Sequence, residues 1–123
     1  MESKAEKRIF GMLGFAMRAG KVAVGTEQAL HAVRQGKIRL VIVSDGASEA
    51  TKRTISKKCE FYKVDMITVD MGTDELGRLL GKSFAPAAVG IADDGFAREI
   101  RLAHDMLRAE RLERKDVSQE GDR

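Results

Sequence analysis

The stretch that most constrains this fold is Arg39 to Val43 (RLVIV), a continuous apolar run closed by Ser44-Asp45-Gly46. A strand with no alternation of polar and apolar residues is one buried on both faces. The Asp-Gly pair after it marks a sharp bend of the chain. The residues just before it repeat the theme. Val22 to Val24 is a short β-branched run between glycines and reads as an edge or short strand. Gly25-Thr26 then opens a helix that Gly36 closes as its C′ residue. Thr26 is the expected cap, and Gly25 lets another chain approach the exposed backbone N–H groups. At about 100° per residue, Glu27, Gln28, His31, Arg34 and Gln35 fall in one arc of this helix. Ala29, Leu30, Ala32 and Val33 fall in the opposite arc, so one face packs and the other is polar and partly basic. Such a face is either an ordinary solvated surface or, with its open N-terminus, a seat for a polyanion with readable base edges.

The rest of the chain alternates helix and strand. Lys4 to Arg18 carries Ile9, Phe10, Leu13, Ala16 and Met17 at helical spacing, and Gly20 ends it. Within it, GMLGFAMRAGK fails as a phosphate-binding loop: the glycine spacing is one too long, Val22 follows Lys21, and the segment reads as helix. Ser48 caps a helix to about Tyr62, Met66 to Val69 is a strand, and Thr73 caps a short helix. Ser83 to Pro86 is a loop, Ala87 to Ala92 a small-residue strand, and a last helix starts at Phe96. The expected fold is therefore α/β, a three-layer α/β/α sandwich with a four-stranded mixed sheet. Residues 1–107 form one domain, and the charged tail 108–123 is expected to fray into disorder by Val117. Binding loops in such sheets gather beyond strand ends, here Gly25, Ser44-Asp45 and Ser83-Pro86. Which of them share an end depends on strand direction, which sequence leaves open.

Composition narrows the function. A net charge of +3 permits nucleic-acid binding without demanding it, while 5% aromatic residues disfavour a chain built on rows of base-stacking rings. The single cysteine, Cys59, cannot form an internal disulfide and reads as a small buried residue, and no Cys/His cluster holds a metal. No cofactor is expected. Asp45, Asp93 and Asp94 sit at strand ends as turn formers, and His31 and His104 lie far apart, so no catalytic constellation forms. The chain starts with charge before any apolar residue and has no stretch of about 20 apolar residues, which predicts a cytoplasmic, non-membrane protein. Lys21, Lys37, Arg39, Lys52 and Arg53 offer a basic cluster for RNA backbones, or are merely solvated.

The segments LGFAMRAGKVAVGTEQALHAVRQGKIRLVIVSDGAS, KKCEFYKV, DELGRLLGK and AAVGIADDGFA, in this order from about Arg8 to Ala97, resemble the ribosomal-protein family of L-seven-Ae and L-thirty-e type, near its bacterial YlxQ-like branch. The resemblance implies an α/β/α sandwich that binds kink-turn RNA, a sharply bent internal loop with tandem sheared G·A pairs, in a ribosomal or translational setting. It places the RNA contact after Gly25 and Thr26, where the family often has Asn-Glu-x-x-Lys and this chain has Glu27, Gln28 and His31. The Gln28 amide both donates and accepts at a guanine edge; His31 donates one bond without a fixed charge; Glu27 accepts from bases but repels phosphate. The resemblance also implies that Phe84, Ala85 and Pro86 pack over flipped-out bases, that Lys21 and Lys37 meet phosphates, and that Asp45 has a loop role. An adaptor that keeps the fold but binds protein, a small-molecule or nucleotide binder, and a substrate-binding accessory to a separate RNA-modifying enzyme are the rival readings.

Overall fold

The computed structural model describes residues 3–121, with side chains as far as residue 113. Five helices and four strands follow in the order α1 (Lys4–Arg18), β1 (Val22–Val24), α2 (Thr26–Arg34), β2 (Leu40–Ser44), α3 (Glu49–Tyr62), β3 (Asp65–Val69), α4 (Thr73–Leu79), β4 (Ala88–Ile91) and α5 (Asp94–Gly121). The strands form one sheet in the order β1-β4-β2-β3. β2 and β3 run parallel, while β4 runs antiparallel to both β1 and β2, so the sheet is mixed.

β2 explains the layers. All five of its residues are buried, and successive side chains point to opposite faces. Leu40 and Ile42 join Ile9, Leu13, Ile100 and Leu107 in a core beneath α1 and α5. Val41 and Val43 join Leu30, Val33, Ile55 and Cys59 in a second core beneath α2 and α3. A single apolar strand therefore feeds two cores. Burial raises the Cys59 thiol pKa to about 11, so it stays protonated and serves as packing.

Local signals set the helix starts. Ser3 and Glu6 form a capping box at α1, and the Ser48 hydroxyl accepts the Thr51 N–H at α3. Two expected caps move by one residue: Gly25 and Gly72, not Thr26 and Thr73, hold the N-cap positions of α2 and α4. In each case the glycine carbonyl accepts the first helical N–H, from Ala29 and Leu76, which makes each threonine the first helical residue. α5 starts at Asp94 rather than Phe96, because Asp93 accepts the Phe96 N–H on its carboxylate at 2.9 Å and the Ala97 N–H on its carbonyl at 3.0 Å. Past Leu107, where the apolar stripe ends, α5 continues through the expected tail as far as Gly121; residues 122 and 123 lie outside the described residues.

Strand direction decides the geometry of the sheet ends. Because β4 runs opposite to the other three, its start lies beside the ends of β1, β2 and β3. Gly25, Ser44-Asp45, Asp70 and the 83–87 connection thus share one rim. Lys21, Arg39 and Ala92 share the other, where the Ala92 N–H donates to the Lys21 carbonyl and the Arg39 N–H to that of Ile91.

Candidate nucleic-acid interface

At the first rim, Gly25 holds φ 102° and ψ 151°, a backbone that side-chain-bearing residues rarely adopt. Its N–H donates to the Ala88 carbonyl at 2.9 Å, which ties the start of α2 to the start of β4. No side chain caps the helix. The N–H groups of Thr26, Glu27 and Gln28 point out of the first turn, with the positive end of the helix dipole behind them. Gln28 and His31 are exposed on the outer face, one turn apart, with Glu27 beside them. These residues, with Thr26, Leu30, Arg34 and Thr54 of α3, line an open groove between α2 and α3.

The neighbouring loops are braced. The Ser44 hydroxyl, fully buried, donates to the Met71 carbonyl at 2.5 Å and accepts the Gly46 N–H at 3.0 Å. The Ser44 N–H donates to the Ala87 carbonyl at 2.8 Å. One serine thereby joins the ends of β2 and β3 to the connection entering β4. Asp45 is exposed and pairs with Lys52 at 3.4 Å, in keeping with a loop role. Further along, the 83–87 connection presses on α4 at Gly77, where a Cβ would stand 2.3 Å from the Phe84 carbonyl oxygen and 3.2 Å from the Pro86 ring. Only glycine fits there. Phe84 and Ala85 are left exposed, whereas Pro86 is buried. Of the three residues expected to pack over bases, Phe84 and Ala85 are thus open to solvent, while Pro86 lies beneath them against α4.

The structure brings Gly25, Thr26, Glu27, Gln28, His31, Phe84 and Ala85 to one side of the molecule, and leaves Lys21 and Lys37 elsewhere. Lys21 precedes β1 and Lys37 follows α2, so both lie at the opposite rim, about 13 Å away along the nine-residue helix. The expected basic cluster divides accordingly. Arg39 pairs with Asp94 at 3.2 Å at the far rim, and Lys52 is engaged by Asp45 and Glu49. Two cations that sequence reading passed over stand closer to the loop. Arg78 and Lys82 are exposed on either side of the α4 terminus that leads into it, and neither pairs with a carboxylate among the described residues. Their adjacency to Ser83 was the available signal.

The sequence model of the ribosomal protein L7Ae/L30e/S12e/Gadd45 family matches residues 7–101. This chain belongs to that family. It is 35% identical over 91 residues to the RNA-binding protein YlxQ of Bacillus subtilis, covering 74% of this chain and 89% of that protein. It is 33% identical over 96 residues to the large ribosomal subunit protein eL30 of Sulfolobus acidocaldarius, covering 78% and 92%. Among solved structures, a Bacillus halodurans protein of unknown function superposes with a TM-score of 0.74 at 34% identity, covering 80% of this chain and 97% of that one. The Giardia lamblia 15.5kD RNA binding protein superposes with a TM-score of 0.69 at 18% identity over 89% and 92%, a likeness of fold. The two sequence relatives are thus an RNA-binding and a ribosomal protein, and the chain shares the α/β fold of its structural neighbours. Among the described residues no group of three or more His, Cys, Asp or Glu could hold a metal ion, and no helix is long and apolar enough to cross a membrane.

Proposed function

We propose that this family member is a non-catalytic RNA-binding protein that recognises kink-turn-like bent RNA, acting in the cytoplasm beside ribosomal or translation-factor proteins. The observation that carries the reading is the uncapped start of α2 on the same rim as the exposed Phe84-Ala85 loop. In this reading the N–H groups of Thr26, Glu27 and Gln28 donate to RNA acceptors at the bend. The Gln28 amide engages a guanine edge as donor and acceptor at once. His31 adds a donor one turn down. Glu27 accepts from exocyclic amino groups and keeps phosphates from settling over its own carboxylate. Phe84 and Ala85 cover bases unstacked by the bend, with Pro86 and Gly77 holding the loop in place. Lys37 and Lys21, on the far rim, reach phosphates only of a stem that runs down the length of α2.

A gel-shift titration at fixed salt tests this with a kink-turn duplex and the same duplex carrying Watson–Crick pairs in place of its G·A pairs. The expected result is tight binding to the bent RNA alone, weakened about 10- to 100-fold by Gln28→Ala. Equal, weak binding to both duplexes would refute shape recognition. An adaptor role then takes over, and Leu102 and Met106, exposed one turn apart on α5, are the surface that favours it.

A further inference from the structure

The groove below α2 continues onto α3. Thr54 closes the part that holds Gln28 and His31, and it also borders a second depression lined by Lys57, Lys58, Phe61 and Tyr62. Positions 54, 57, 58 and 61 have i, i+3, i+4, i+7 spacing and form one outward stripe, opposite the buried Ile55 and Cys59. Phe61 is 76% exposed, the highest of any large apolar side chain among the described residues, and it meets Tyr62 edge-on with ring centroids 4.9 Å apart. Lys57 and Lys58 pair with no carboxylate among the described residues, nor do Arg34 and Lys63 nearby. Glu60, the adjacent acid, lies about 100° round the helix from Phe61.

We propose that this stripe is a second RNA contact, where an unpaired base beside the recognised stem stacks on Phe61 while Lys57 and Lys58 hold the flanking phosphates. The proposal rests on the RNA reading of α2 and extends it about 20 Å down α3 from the shared rim. An exposed ring braced by Tyr62 and flanked by cations matches the alternation of base face and phosphate in a single strand. A protein-docking patch would instead join Phe61 to further exposed apolar side chains, and its outward neighbours here are lysines and a threonine. Continuity with the α2 groove gives the strand a route.

The test is binding of the full chain, at fixed salt, to a blunt kink-turn duplex and to the same duplex with single-stranded extensions of about five nucleotides at either end. Wild type is expected to bind one extended duplex about 5- to 50-fold more tightly than the blunt one. Phe61→Ala should remove that gain, keep the blunt affinity and leave the melting temperature unchanged; Phe61→Tyr should retain the gain. Lys57→Ala with Lys58→Ala should lower the log–log salt slope for the extended RNA by about 1.4. No preference for an extension in wild type, or a preference that survives Phe61→Ala, overturns the platform. If Phe61→Ala leaves all RNA affinities alone yet abolishes a protein contact, the stripe is a protein dock and the proposal falls. If the blunt duplex does not bind but the extended one does, through Phe61, the platform stands and the α2 reading fails.

Discussion

Helices α2 and α3 leave the same rim of the sheet in the same direction, yet their first turns are built to opposite specifications. At α3, Ser48 closes the start: its hydroxyl accepts the Thr51 N–H at 3.2 Å and donates to the Thr51 hydroxyl at 2.9 Å. At α2, Gly25 supplies no side chain, and three N–H groups face outward. A side-chain cap contributes about 0.5–2 kcal/mol over alanine but only a few tenths over glycine, so the open start costs little stability. The difference teaches that a side chain of the chain itself takes up one donor at the start of α3, while the start of α2 leaves to solvent the three donors that the proposed function assigns to RNA.

The sharpest way to break the comparison is Gly25→Ala. Nothing within 4 Å would meet the new Cβ, so the penalty is the backbone conformation at φ 102° alone. A loss of about 1–3 kcal/mol in urea-unfolding stability is expected, together with weakened RNA binding as the start of α2 shifts. Next comes a pair of caps. Ser48→Ala should cost about 1 kcal/mol and leave RNA affinity intact, because its partners are all internal. Thr26→Ala should change stability by less than about 0.5 kcal/mol, since Thr26 caps nothing. A Thr26→Ala loss equal to that of Ser48→Ala would reinstate threonine as the cap.

The smallest effect concerns α5, whose start is closed by Asp93. His104 on this helix has a pKa held below 6.5, first by burial and then by Arg108 and Arg111, with Asp105 and a hydrogen bond to the Thr68 backbone opposing them. A base with a depressed folded pKa takes up more protons when unfolded, so its contribution is complete above pH 6.5 and lost as pH falls toward the folded value. Thermal melts between pH 7.5 and 5 should show a modest decline that flattens in His104→Gln. An unchanged slope in that variant would place the pH dependence elsewhere.

Much of this architecture was legible in the chain. The unbroken apolar run of β2 implied two helical layers, and α1, Gly36 and Ser48 stand where spacing and capping rules put them. Other features rest on relations between distant segments. That Gly25, Ser44 and Phe84 share a rim follows from the insertion of β4, antiparallel, between β1 and β2, and no local pattern encodes that. The burial of Pro86 depends on Gly77, which makes room on α4. Thr26 and Thr73 look like caps because only threonine of each Gly-Thr pair has a side-chain acceptor, yet glycine occupies the cap in both cases. The length of α5 was missed because the apolar stripe stops at Leu107. Strong helix formers after Leu107, such as Arg108, Ala109, Glu110 and Arg111, favour a helix without it. The separation of Lys21 and Lys37 from the α2 start is likewise a matter of tertiary distance.

The central claim is that the open first turn of α2 is the RNA contact. Amide resonances of ¹⁵N-labelled protein, followed while a kink-turn duplex is titrated in, test it most directly. The account predicts that the amides of Thr26, Glu27 and Gln28 shift most and become the best protected from exchange, while those of the first turn of α3 behind Ser48 barely move. Saturation of the protein with RNA while those three amides stay in place, with the largest shifts elsewhere, would contradict it.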